Sequence, residues 1–157
     1  VRTKFNFLNK DEDYADLENK MKALININNE EYYAHWMLGR LYTMQEKYSD
    51  AIIEYNKTIE LAPLFRPDFY YDLSFVYYQQ EDYLTAKKTI YKILEIYPDY
   101  QYSSNPNLPT QLAYLYLLLG QTYEKLGDTD KAIDNINKSL HYLPEFKLAE
   151  DKLKEIQ

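Results

Sequence analysis

The stretch HWMLGRLYTMQEKYSDAIIEYNKTIELAP, residues 35–63, decides the fold, because two later stretches repeat its punctuation. Leu38-Gly39, Tyr42, Ala51 and Pro63 return as Leu73-Ser74, Tyr77, Ala86 and Pro98, and again as Leu119-Gly120, Tyr123, Ala132 and Pro144. Within each copy the small residue, the alanine and the proline stand 12 apart: 39, 51, 63, then 74, 86, 98, then 120, 132, 144. A fixed internal period marks a repeat architecture, in which each unit buries its apolar face only against its neighbours.

Each column has a physical reason. Gly39, Ser74 and Gly120 are small where two antiparallel helices approach closely, and Ala51, Ala86 and Ala132 supply the matching small contact on the second helix. Pro63, Pro98 and Pro144 lack an amide donor and end or redirect that second helix. Gln45-Glu46-Lys47, Gln79-Gln80-Glu81-Asp82 and Leu126-Gly127-Asp128 make the short turns inside each pair. These columns resemble the tetratricopeptide repeat (TPR), whose pattern over about 34 residues runs aromatic, Leu-Gly, Tyr, Ala, aromatic, Pro. His35, Tyr70 and Tyr116 hold the opening aromatic position, Tyr55, Ile90 and Ile136 the later one, and Ser74 departs from glycine. The resemblance implies an all-α fold, a right-handed helical solenoid of antiparallel helix pairs.

Working outward, helix pairs are expected over 32–62, 67–97 and 109–143, inside a single array over 1–157. Its expected parts are a partial N-terminal repeat at 1–29, repeats at 32–63, 67–98 and 113–144, an inserted loop at 99–110 and a C-terminal capping helix at 145–157. Phe5, Tyr14 and Leu17 stand 34 residues before Gly39, Tyr48 and Ala51, so 1–9 reads as the tail of a first helix and Tyr14 to Ile27 as its partner. That unit is degenerate, with Phe5 in the small column and Asn29 in the proline column. The repeat spacing is 35 from Gly39 to Ser74 but 46 from Ser74 to Gly120, which locates an insertion after Pro98. Its residues Asp99 to Pro109 are turn-rich, and Pro109 suits the first turn of a lengthened helix. An insertion in an array is either a functional loop on one face or a tolerated surface loop. At the other end, Phe146, Ala149, Leu153 and Ile156 line one side of a last helix, with Lys147, Glu150, Lys154 and Glu155 elsewhere, as a solvating cap requires.

Composition narrows function. With 157 residues, 46% of them hydrophobic, the chain can bury a core. It has no cysteine, which excludes disulfides, thiol catalysis and thiolate metal sites and fits cytoplasm and periplasm alike. A net charge of -7 repels a phosphate backbone, so nucleic acid is not an expected partner. No apolar run approaches the roughly 20 residues of a membrane span, and direct membrane insertion is not expected. The start at Val1 without a basic and apolar leader reads as a processed product or excised domain. Localisation is therefore open: cytoplasmic by default, periplasmic or membrane-anchored for a processed chain. Only 3 Gly beside 19 Tyr suits helices with aromatic packing.

No catalytic or cofactor motif is present. His35 and His141 are too few and too far apart for a metal cluster, and His35 fills a packing column. Three glycines cannot build a phosphate loop or dinucleotide fingerprint. The carboxylates fall on turns and outer helix faces, and the sequons at Asn56 and Asn137 fall on second helices. The chain is expected to be no enzyme and to hold no cofactor or metal. The informative stripe lies on the first helix of each pair, where steps of three and four align Tyr33, Trp36, Arg40 and Thr43, then Asp68, Tyr71, Phe75 and Tyr78, then Tyr114, Leu117, Gln121 and Glu124. In the TPR family first helices line the concave groove, so the resemblance implies an aromatic groove for a peptide or helix of another protein. Tyr and Trp offer large contact area with few torsions to freeze. Family members that clamp a terminal carboxylate use basic and asparagine side chains. The matching positions here hold Trp36, Arg40, Asp72, Tyr114 and Leu118, a set with one cation and one misplaced acid, so that activity is not carried over. The expected function is a protein-interaction scaffold. A secretion-type chaperone and the regulatory arm of a larger enzyme or sensor are the alternatives.

Overall fold

The computed structural model describes residues 10–62, 66–96 and 108–157. Among them are eight helices and no strand: α1 (Lys10–Ile27), α2 (Tyr32–Met44), α3 (Tyr48–Leu61), α4 (Pro67–Gln79), α5 (Tyr83–Ile96), α6 (Leu108–Lys125), α7 (Thr129–Tyr142) and α8 (Lys147–Ile156). The fold is an all-α TPR solenoid, and the helix pairs α2/α3, α4/α5 and α6/α7 fall where the 12-residue columns place them. Pro109 does sit in the first turn of α6, which has 18 residues against 13 for α2 and α4. Pro63, Pro98, Phe5 and most of the 99–110 insertion lie outside the described residues. The chain divides into two compact units, Val1–Phe69 and Tyr70–Gln157.

In the first unit, α2 begins where the Glu31 carboxylate accepts a hydrogen bond from the Tyr33 amide at 3.3 Å, satisfying one orphan donor of the helix start. The close approach falls at Gly39, where an added Cβ would meet the Tyr55 ring at 2.8 Å. The small column of α2 thus faces the later aromatic column of α3, a pairing more specific than the expected small-on-small contact with Ala51. Ala34, Leu38, Leu41, Ala51 and Tyr55 are each 1% exposed or less. Burying a leucine completely stabilises by about 1.5–3 kcal/mol, so these columns hold the pair closed. His35 is a core residue, its Nδ1 2.6 Å from a Glu54 carboxylate oxygen.

In the second unit the same logic closes α6 on α7. A Cβ on Gly120 would lie 2.7 Å from Ile136 Cγ1 and 3.0 Å from the Ala132 carbonyl oxygen. Ser74 is fully buried, and its hydroxyl donates to the Tyr71 carbonyl at 2.8 Å, so the departure from glycine leaves no polar atom stranded. Phe146 and Ala149 join Ala113, Leu117 and Ile136 in a buried cluster flanked by Leu153 and Ile156, so α8 packs on α6 and α7 with its apolar side.

All three turns inside the pairs share one geometry. Glu46, Glu81 and Gly127 have φ of 59°, 62° and 81°, the left-handed conformation that ends many helices. The next amide, of Lys47, Asp82 or Asp128, donates at 2.9 Å to the carbonyl of Tyr42, Tyr77 or Tyr123. The tyrosine column therefore anchors each turn through its backbone carbonyl.

Candidate functional site

The stripe expected on α2 forms an aromatic cluster in the first unit. Trp36 lies 5.3 Å from the Tyr33 ring and 5.4 Å from the Phe69 ring, both tilted, and Tyr32 reaches Phe69 at 6.0 Å. Tilted rings at such spacings add attraction beyond their burial. The Arg40 guanidinium stands 5.1 Å over the Trp36 ring and that of Arg66 5.2 Å over Phe69. Arg66 also pairs with Asp68 at 3.2 Å. Exposure grades across the cluster: Tyr33 is 53% exposed, Trp36 half-buried and Phe69 1%. The result is a ledge of aromatic surface on a fixed base.

In the second unit, Tyr71, Phe75 and Tyr78 on α4 are half-buried. Burial pushes the Tyr71 phenol well up, with Asp72 and then Tyr114 of α6 adding to the shift, so Tyr71 and Tyr114 lie within electrostatic reach of one another. Tyr114 packs on Phe146 at 4.6 Å, and Tyr78 meets Tyr83 edge-on at 5.4 Å. Gln121 is half-buried two turns further along α6. Leu117 is 5% exposed within the cluster that seats α8, so internal packing occupies its side chain. Leu118, at a position matched to the carboxylate clamp, is 3% exposed.

Two residues absent from the expected stripe, one in each unit, interact with its side chains. Phe69 supplies the ring that Trp36 and Tyr32 pack on. Its column was legible: Ala34 stands 35 residues earlier and Leu115 46 later, the repeat spacings, and all three are buried. Lys152 of α8 bridges to Glu124 of α6 at 2.8 Å and to Glu155 at 3.1 Å, and its charge reaches Tyr78. No spacing rule within the repeats points to it, because α8 follows the last pair. Among the described residues, no group of three or more His, Cys, Asp or Glu side chains is placed to hold a metal ion, and no helix is long and apolar enough to cross a membrane.

A sequence model of the family described as tetratricopeptide repeat matches residues 67–100 and 113–141. No curated protein sequence matches the chain. Solved structures do. A crystal structure of MamA is similar over 92% of this chain and 77% of its own, with a TM-score of 0.76 at 20% identity. The first TPR of Spaghetti (RPAP3), bound to the HSP90 peptide SRMEEVD, is similar over 80% of this chain and 90% of its own, with a TM-score of 0.67 at 18% identity. The Arabidopsis OM64 TPR domain covers 82% of this chain and 95% of its own, with a TM-score of 0.67 at 16% identity. At such identities the likeness speaks for the fold alone. Matched repeats, recurring columns and helix pairs closed on small residues agree: residues 67–100 and 113–141 carry tetratricopeptide repeats.

Proposed function

We propose that the chain is a non-catalytic scaffold that binds a peptide or helical segment of another protein through the aromatic faces of its first helices. The observation that carries this reading is the cluster of Tyr33, Trp36 and Phe69 with Arg40 over the indole. Aromatic and arginine side chains on a rigid base are the composition of binding hot spots. In the second unit Tyr71, Phe75, Tyr78, Tyr114 and Gln121 supply a further set of first-helix side chains, with Leu117 buried at the base of α6 against α8. That a related TPR has been solved with an HSP90 peptide supports a peptide as ligand class. Asp72 in place of a clamp cation disfavours an acidic terminal tail of that kind, because its half-buried carboxylate would repel the carboxylates of the tail.

The test is selection of peptides on the chain from a random display library, followed by affinity and melting measurements on Trp36→Ala and Phe75→Ala. Each is expected to weaken a selected peptide by about 1–2 kcal/mol, roughly tenfold, while keeping a cooperative melt. Peptides whose affinity ignores both truncations, at intact folding, would refute the assignment.

A further inference from the structure

Six lysines of this acidic chain are held by carboxylates of their own helical segments. Lys20, Lys22, Lys57, Lys131, Lys138 and Lys147 each lie 2.5 to 3.0 Å from a carboxylate three or four residues away. Helix α5 carries three lysines, none of them so held. Among the described residues no carboxylate pairs with Lys87, Lys88 or Lys92. Lys87 rests over the Tyr123 ring at 5.4 Å, and the Tyr123 hydroxyl meets that of Tyr91 at 2.8 Å. Lys88 and Lys92 are exposed at a spacing of four, where like charges face each other on a helix and weaken it.

The same face carries apolar surface. At about 100° per residue Leu84, Lys88 and Tyr91 share one side of α5 and Lys92 borders it. Leu84 is 65% exposed and Tyr91 40%. Glu95, exposed on the same side, offsets one of these charges, so the face carries a net positive charge around two large apolar side chains, in a chain whose net charge is -7.

We propose that this outward face of α5 is a second docking surface, separate from the first-helix stripe, for an acidic segment of a partner protein that carries an apolar side chain among its carboxylates. Charge complementarity selects the occupant: carboxylates meet Lys88 and Lys92 while the apolar group covers Leu84 and Tyr91. The strongly negative remainder of the chain opposes approach to an anionic bilayer.

The probe is a fluorescein-labelled peptide of repeated Glu-Glu-Phe units, with a Lys-Lys-Phe counterpart as control. The Glu-Glu-Phe peptide is expected to bind with an affinity that falls as salt rises, and the counterpart not to bind. Lys88→Glu combined with Lys92→Glu should weaken binding by about tenfold or more. Lys88→Gln with Lys92→Gln should weaken it less, with an unchanged helical circular dichroism spectrum for both pairs. Trp36→Ala should leave this peptide's affinity as it was, whereas loss there would place the peptide on the first-helix stripe and overturn the proposal. Unchanged binding by both folded lysine pairs would overturn it too. So would preferential binding to phosphatidylserine vesicles that the lysine changes abolish, or self-association of the chain that they abolish without touching the peptide.

Discussion

The pairs α2/α3 and α6/α7 carry the same columns, yet different atoms fill the space beside each glycine. Gly39 faces a tyrosine ring, whereas Gly120 faces an isoleucine branch and the backbone carbonyl of Ala132. The column therefore specifies where two helices must come close, and the facing residue decides how forgiving that approach is. A ring on a side chain can swing aside, while a carbonyl moves only with its helix.

Truncating the facing residues should give the largest effects. Tyr55→Ala removes a ring that is 1% exposed and a hydroxyl 3.1 Å from Thr43, and should cost about 3–5 kcal/mol in urea unfolding. Ile136→Ala should cost about 2–4 kcal/mol. The informative step is the next one. Gly39→Leu alone should destabilise by about 1–3 kcal/mol, and in the Tyr55→Ala background it should recover part of the loss by filling the vacated space. Gly120→Leu should cost a similar amount alone, yet gain little from Ile136→Ala, because the Ala132 carbonyl remains. Equal rescue in both pairs would show that the backbone contact is unimportant.

The turns offer a smaller contrast. Glu46 and Gly127 occupy equivalent left-handed positions, which cost a residue with a Cβ about 1–2 kcal/mol and glycine nothing. Glu46→Gly should therefore raise stability by up to about 1 kcal/mol, after the extra freedom of glycine in the unfolded chain is counted. Gly127→Ala should lower it by about 1 kcal/mol, and no atom within 4 Å would add a clash. Thermal melts of the two variants that move in the same direction would contradict the shared turn geometry.

The helix pairs were legible because their determinants are local and repeated: a small residue, a tyrosine, an alanine and a proline at fixed intervals are enough to place α2 through α7. The left-handed turns were legible only at Gly127, since Glu46 and Glu81 carry no glycine signal. The expected stripe located Tyr33, Trp36 and Arg40 on one face, but counting along a single helix could not show that Phe69 supplies the ring beneath them. It likewise could not separate Leu117, buried under α8, from Gln121 one turn away. Which side of a helix is covered depends on the neighbouring helix, and for α6 that neighbour comes after the last full repeat.

The two terminal helices extend the comparison and provide its smallest test. α8 is seated through Phe146 and Ala149, both buried, whereas no described residue of α1 is fully buried. A polar contact helps to join α1 to α2: Glu18 accepts hydrogen bonds from Lys22 at 2.6 Å and from the Tyr42 hydroxyl at 3.1 Å. The Lys22 bond foremost, against some opposing burial, and then the Tyr42 bond hold the Glu18 carboxyl below its ordinary value of 4.5. A carboxylate with a lowered folded pKa stabilises the fold above that ordinary value, and the contribution fades as pH falls through the folded pKa. Glu18→Gln should consequently cost less than about 1 kcal/mol at neutral pH, as partly exposed ion pairs do. The gap in urea midpoint between the parent and Glu18→Gln should narrow as the pH is taken below 4.5. A gap that stays constant into acid would mean that Glu18 contributes by shape and not by charge, and α1 would then be seated by the same kind of contact as α8.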